Sequence, residues 1–98
     1  MQISQDHTAN VPSEARRVAE AGGSVLQARD GSSRVGGVIE VTRSIGDRTL
    51  KTLGLIAVPE IHEVELGEDD EFFLMASDGV WSCLDNRTAV EKVIFLNF

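Results

Sequence analysis

Residues 72–76 read Phe-Phe-Leu-Met-Ala, an apolar run that stops abruptly on Ser77-Asp78-Gly79-Val80-Trp81. A run of that length, aromatic at its start and preceded by an acidic turn, reads as a strand buried on both faces. This constrains the fold strongly, because a sheet holding such a strand needs a covering layer on each side. It also places Asp78 where a buried strand ends, and an ionised carboxylate there must be paired, hydrogen-bonded or bound to a metal. Gly79 permits a sharp turn and leaves room for a close neighbour. On its own, however, an Asp-Gly pair is most often only a turn.

The rest of the chain offers few elements to cover that strand. Gln2–Ser4 reads as the end of a strand, running into the polar Gln5-Asp6-His7. Ser13 is placed to cap a helix with Ala15, Val18 and Ala19 at helical spacing, and Gly22-Gly23 ends it. A short strand is expected around Ser24–Leu26, then an exposed turn at Asp30-Gly31 within residues 27–33. Val35, Val38, Ile39 and Val41 fit a strand over 34–43 weakened by Gly36-Gly37. Leu55–Val58 is another short apolar run ended by Pro59, and Ile61–Leu66 partly alternates. Asn86 can cap a last helix over 86–96 carrying Ala89, Val90, Val93 and Ile94 on one side. The sum is an α+β pattern with more strands than the helices can cover, which predicts an incomplete domain.

Ninety-eight residues with a net charge of −7 exclude the basic stripe that a nucleic-acid partner requires. The negative charge gathers at Glu63, Glu65, Glu68, Asp69, Asp70 and Glu71, a segment expected to be a solvated turn. It lacks the ligand spacing and central glycine of an EF-hand calcium loop. The single cysteine, Cys83, cannot form an internal disulfide and reads as a buried small hydrophobe. No leader opens the chain and no apolar run reaches membrane-spanning length, so a cytoplasmic or nuclear setting without membrane attachment is expected. In that setting the sequon Asn86-Arg87-Thr88 carries no meaning.

Four segments, taken in order, resemble the metal-dependent protein phosphatases, the PPM or type 2C serine/threonine family. Ser4-Gln5-Asp6-His7 and the helix ending Ala21-Gly22-Gly23-Ser24-Val25 are similar to its "DH…E..R…GG.V" stretch. Arg34-Val35 to Val38 and Val41-Thr42-Arg43-Ser44-Ile45-Gly46-Asp47 resemble "RV.G.L.V(S/T)R.(I/F)GD". Val58-Pro59-Glu60-Ile61 resembles "PE(I/V)", and Ala76-Ser77-Asp78-Gly79-Val80-Trp81 resembles "A(S/C)DG(L/V)W". The resemblance covers roughly residues 3 to 95.

It implies two stacked antiparallel β-sheets flanked by helices, of which this chain holds only part. It also implies a site for two divalent metals, Mg²⁺ or Mn²⁺, that activate water for hydrolysis of phosphoserine and phosphothreonine in phosphoprotein partners. Asp78 matches a metal-ligand aspartate of the family, and metal binding is carried onto it alone. A flap-like segment would cover about Thr8–Ser33, with sheet strands over 34–81. Arg16, Arg17, Arg29 and Arg34 near the flap could meet acidic phosphopeptides or simply face solvent. His7 is expected to be a hydrogen-bonded structural residue, Arg43 and Asp47 a pair holding the turn at Gly46, and Trp81 a residue packed on a sheet edge. Ser82 stands where many members carry an aspartate that helps bind a third metal, and Glu40 where many carry alanine. Asp85-Asn86 imitates a later metal-ligand motif but reads as a helix cap. The family's "DGHGG" segment has no counterpart here, so the isolated chain is expected to lack turnover and to pair with the missing half or with another copy. Two other readings stay open: a regulatory or adaptor module on a phosphatase-like remnant, and a small unrelated α+β binding domain.

Overall fold

Pro12 decides where the first helix begins. A residue before proline is driven toward extended backbone, and Val11 adopts φ −79°, ψ 122°, so helix α1 runs Pro12–Glu20 with proline in its first turn. Ser13 therefore lies inside the helix and does not cap it, contrary to the sequence reading, and Val11 supplies no side-chain cap bond. The far end agrees with expectation. Gly22 N donates to Ala19 O (3.0 Å) and Gly23 N to Val18 O (2.9 Å), the paired bonds of a Schellman stop.

The computed structural model describes residues 1–97, and the chain divides into two units. The first unit is Ser4–His62. After α1 come β1 (Val25–Gln27) and β2 (Ser33–Val35), paired antiparallel in the register Val25↔Val35, Leu26↔Arg34, Gln27↔Ser33. The connecting loop is the expected Asp30-Gly31 turn. Gly31 N donates to Ala28 O, and the Asp30 carboxylate accepts from both Ser32 N (2.9 Å) and Ser32 Oγ (2.6 Å).

The strand expected over 34–43 is interrupted. Gly36 (φ 59°) and Gly37 (φ 72°) both take the left-handed conformation, which folds the chain back so that Ile39 bridges Val35. Beyond that turn, single bridges replace a ladder: Thr8↔Val41 antiparallel and Arg43↔Ile56 parallel. Helix α2, Arg48–Lys51, is one turn long.

The core of this unit is Ala9, Val18, Val35 and Leu55, with Val25, Ile39, Leu50 and Leu53 packed against it. The backbone at Gly54 presses on α1. A Cβ there would stand 2.7 Å from Val18 Cα, at a φ of +94°. Only glycine fits both demands.

The second unit joins Met1–Ile3 to the chain from Glu63 onward. It carries α3 (Asp78–Trp81) and α4 (Asn86–Asn97), with Ala89 buried. No strand forms over residues 1–4 or 57–77. The apolar run therefore lacks the ladder expected of it, and Phe73 (66%) and Met75 (82%) are exposed. The reason is physical: a strand exists through its neighbours, and no described residue pairs with this one. What stands among the described residues is the coarser class, helices with one two-stranded antiparallel sheet, α+β. Among the described residues no helix is long and apolar enough to cross a membrane.

Candidate functional site

Asp78 opens α3. Ser77, in extended backbone (φ −81°, ψ 174°), is the residue before the helix, and its carbonyl accepts Val80 N at 3.0 Å. The Asp-Gly pair is thus the first half of a helical turn, which is a different geometry from the sharp turn read in the sequence. Trp81 does not lie on a sheet edge. It is half-buried, and its indole Nε1–H donates to Ala76 O at 2.8 Å, locking the residues on either side of Asp78. A Cβ on Gly79 would meet only Ser77 Oγ at 3.6 Å, so a methyl there would fit within the unit.

The Asp78 side chain is exposed, and its two oxygens are hard donors of the kind Mg²⁺ and Mn²⁺ prefer. Among the described residues no group of three or more His, Cys, Asp and Glu side chains gathers to hold a metal. Asp78 fits such an ion as one ligand. It does not make a site by itself.

Asp85 and Asn86 divide the capping role differently from the expectation. Asp85 Oδ1 accepts Thr88 N at 2.8 Å and Asp85 O accepts Ala89 N, so Asp85 is the cap and Asn86 the first helical residue. The bond from Thr88 N holds the Asp85 carboxyl below its ordinary range. Asn86 Nδ2 instead donates to Gln2 Oε1 at 3.1 Å. Cys83, expected to be buried, is exposed. The acidic stretch is the expected solvated turn, with Gly67 N donating to Asp70 Oδ2 at 2.8 Å.

The densest chemistry of the first unit lies elsewhere, at Glu14. This carboxylate is 2% exposed. Arg17 meets it with two parallel bonds (Nη1 to Oε1, 2.8 Å; Nη2 to Oε2, 2.7 Å). Arg43 does the same from Nη2 to Oε1 (2.6 Å) and Nε to Oε2 (3.2 Å), and the Thr42 hydroxyl donates to Oε2. Both guanidiniums also reach backbone carbonyls: Arg17 those of Gly54 and Thr42, Arg43 that of Val58. Fork-on-carboxylate geometry of this kind is strong and orienting. The Arg17 bonds, then those of Arg43, hold the Glu14 carboxyl far below the usual range, overcoming burial, which acts in the opposite sense.

This node replaces the expected Arg43–Asp47 pair: the Arg43 guanidinium goes to Glu14, while Asp47 occupies left-handed backbone (φ 47°, ψ 46°) ahead of α2. Of the four arginines near the flap-like segment, Arg17 is committed to Glu14 and Arg34 to Asp30 and Ser32, while Arg16 and Arg29 are exposed. His7 is the hydrogen-bonded residue expected, with Nε2 3.1 Å from Glu60 Oε2. Glu14 escaped the sequence reading as a site residue. Two local signals pointed to it: its i,i+3 spacing to Arg17 on a helix, and the E..R of the quoted family stretch, which Glu14 and Arg17 fill.

Residues 1–94 match the model of the family described as protein phosphatase 2C. Over 91 residues the chain is 43% identical to "Probable protein phosphatase 2C 52" of Oryza sativa subsp. japonica, covering 93% of this chain and 18% of that protein. It is equally similar over 91 residues to "Probable protein phosphatase 2C 69" of Arabidopsis thaliana, 93% of this chain and 25% of the relative. "Probable protein phosphatase 2C member 13, mitochondrial" of Oryza sativa subsp. japonica is 43% identical over 90 residues, 92% of this chain and 24% of its own length. The chain thus spans about a quarter or less of these relatives.

Proposed function

The chain belongs to the protein phosphatase 2C family, and from that premise we propose that it supplies part of a metal-dependent protein serine/threonine phosphatase. The observation that carries the proposal is the family match through residues 1–94 with Asp78 exposed at the head of a helical turn. In this reading Asp78 contributes one ligand to a pair of Mg²⁺ or Mn²⁺ ions. When bound, such ions supply an activated water and neutralise charge on the transferring phosphoryl group.

The residues of this chain orient and support. Trp81 fixes the backbone around Asp78 through Ala76 O. The Glu14 node pins α1, and with it the flap-like segment at 8–33, to Thr42 and Arg43. The substrates are phosphoproteins, with Arg16 and Arg29 available to acidic flanking groups. The apolar run at 72–76 pairs, in this reading, with strands of the complete two-sheet sandwich, which would bury Phe73 and Met75. The setting is cytoplasmic or nuclear, and turnover needs the complete domain.

Manganese titration of the 98-residue chain beside its Asp78→Asn variant, each with a phosphatase assay, tests this. Expected are weak binding that the substitution abolishes and no turnover by either chain. Tight binding indifferent to Asp78→Asn would overturn the metal assignment, and turnover by the isolated chain would overturn the claim that it is only part of the site.

A further inference from the structure

The chain contains two Asp-Gly pairs, Asp30-Gly31 and Asp78-Gly79, and the structure holds them in opposite ways. All four residues are exposed, so water reaches both pairs. At the first pair every reacting group is engaged. The Asp30 carboxylate accepts Ser32 N (2.9 Å), Ser32 Oγ (2.6 Å) and Arg34 Nη2 (3.2 Å), and Gly31 N donates to Ala28 O at 3.0 Å. At the second pair no described residue bonds to the Asp78 carboxylate, and the Gly79 N–H has no acceptor among the described residues. The space around Gly79 is open, since even a Cβ there would meet only Ser77 Oγ at 3.6 Å. We propose that Asp78-Gly79 is a site of spontaneous isomerisation to isoaspartate, from which Asp30-Gly31 is protected by its bonds.

The reaction needs only water. Gly79 N attacks Asp78 Cγ; the N–Cγ bond forms and a Cγ–O bond breaks, closing a five-membered imide. The amide proton and the departing oxygen leave as hydroxide. Hydroxide then adds to either imide carbonyl. Opening at Cγ restores aspartate. Opening at the main-chain carbonyl of Asp78 leaves the chain running through Cβ and Cγ, with the free carboxylate on Cα. Closure turns the Asp78 peptide and so opens α3, a single turn held by Val80 N and Trp81 N on Ser77 O and Ser82 N on Asp78 O. That turn contains no buried residue, and so short a segment with nothing packed in a core opens at low cost. At Asp30, closure must first strip three bonds from the electrophile and one from the nucleophile. The isomerisation is independent of the phosphatase reading; only its consequence, displacement of the metal-ligand candidate, rests on that reading.

The test is incubation of the 98-residue chain at neutral pH and body temperature over weeks. Digestion and mass spectrometry then separate isoaspartyl from aspartyl peptides. Isoaspartate at 78 is expected to form about tenfold or more faster than at 30, the effect of one or two net hydrogen bonds on the reacting groups. In concentrated urea both pairs lose their surroundings, and the two rates should converge to within about twofold. Gly79→Ala fits the available space and crowds the nucleophile, so it should suppress isoaspartate at 78 and leave the slow formation at 30 unchanged. Equal rates at the two sites in the folded chain, or faster formation at 30, would overturn the inference. So would undiminished formation at 78 in Gly79→Ala. A contrast that persisted undiminished in urea would overturn it as well, by assigning the difference to neighbouring residues and not to the fold.

Discussion

Replacing Glu14 by glutamine removes the charge at the centre of five hydrogen bonds while keeping the side chain's shape. The amide retains one oxygen but turns an NH₂ toward guanidinium donors. Two limits frame the cost. Breaking a fully buried pair costs about 3–5 kcal/mol, because the surviving charge is left unpaired. An exposed pair is worth about 1 kcal/mol at most. Here the carboxylate is buried, but the Arg17 and Arg43 side chains are 25% and 23% exposed. Both keep backbone acceptors at Gly54, Thr42 and Val58, and can recover some hydration. We expect a loss of about 2–4 kcal/mol, a large fraction of what a small unit has. With a urea slope near 1 kcal/mol/M for so short a chain, the midpoint should fall by about 2 M or more. Trp81 belongs to the second unit, so fluorescence would follow the wrong part of the molecule. The assay is urea titration read at the amide resonances of Val18 and Val35, in the core of the first unit. Thr42→Val removes one donor and leaves both guanidiniums paired, so its cost should be about half as large. A midpoint shift below about 0.5 M for Glu14→Gln would refute the view that this node holds the unit together.

The same carboxylate predicts the sign of a pH dependence. Its folded value lies below the ordinary 4.5, so its contribution is complete above that value and is lost progressively as pH falls below it. The gap in urea midpoint between the unsubstituted chain and Glu14→Gln should be constant above about pH 6 and narrow below about pH 4; a gap that widened on acidification would contradict the assignment. Gly54→Ala should cost about 2 kcal/mol or more, since it adds a 2.7 Å clash with Val18 Cα to an unfavourable φ of +94°. Gly31→Ala, with a φ of +85° but open space around it, should cost only about 1 kcal/mol. Equal unfolding midpoints for these two alanine variants would show that the close approach at Gly54 carries no weight.

The elements that could be read from the sequence are those whose causes are local. Helix α1 and its stop at Gly22-Gly23, the Asp30-Gly31 loop, the acidic turn and helix α4 each follow from residues a few positions apart. Even among these, Pro12 sets the start of α1 ahead of Ser13, and of the Asp85-Asn86 pair expected to cap α4 it is Asp85 that accepts the bond. The strands over 34–43 and 72–76 were read from apolar content, yet a strand is a relation between segments. Gly36-Gly37 folded the first back on itself, and the second has no partner among the described residues. The meetings of Glu14 with Arg43 and of Glu60 with His7 could not be found in this way. Arg43 lies 29 residues from Glu14, and His7 lies 53 from Glu60, with nothing in the intervening letters to announce either meeting.

By itself, then, the order of four short motifs was enough to give the family, because motif identity survives without coordinates. It also gave one metal-ligand candidate, Asp78, whose meaning depends on companions that sequence proximity does not provide. Only the tertiary structure decided which charges are buried and with whom. Burial and pairing depend on distances in space, and a carboxylate such as Glu14 becomes a structural centre only when two guanidiniums from distant positions replace the water it has lost.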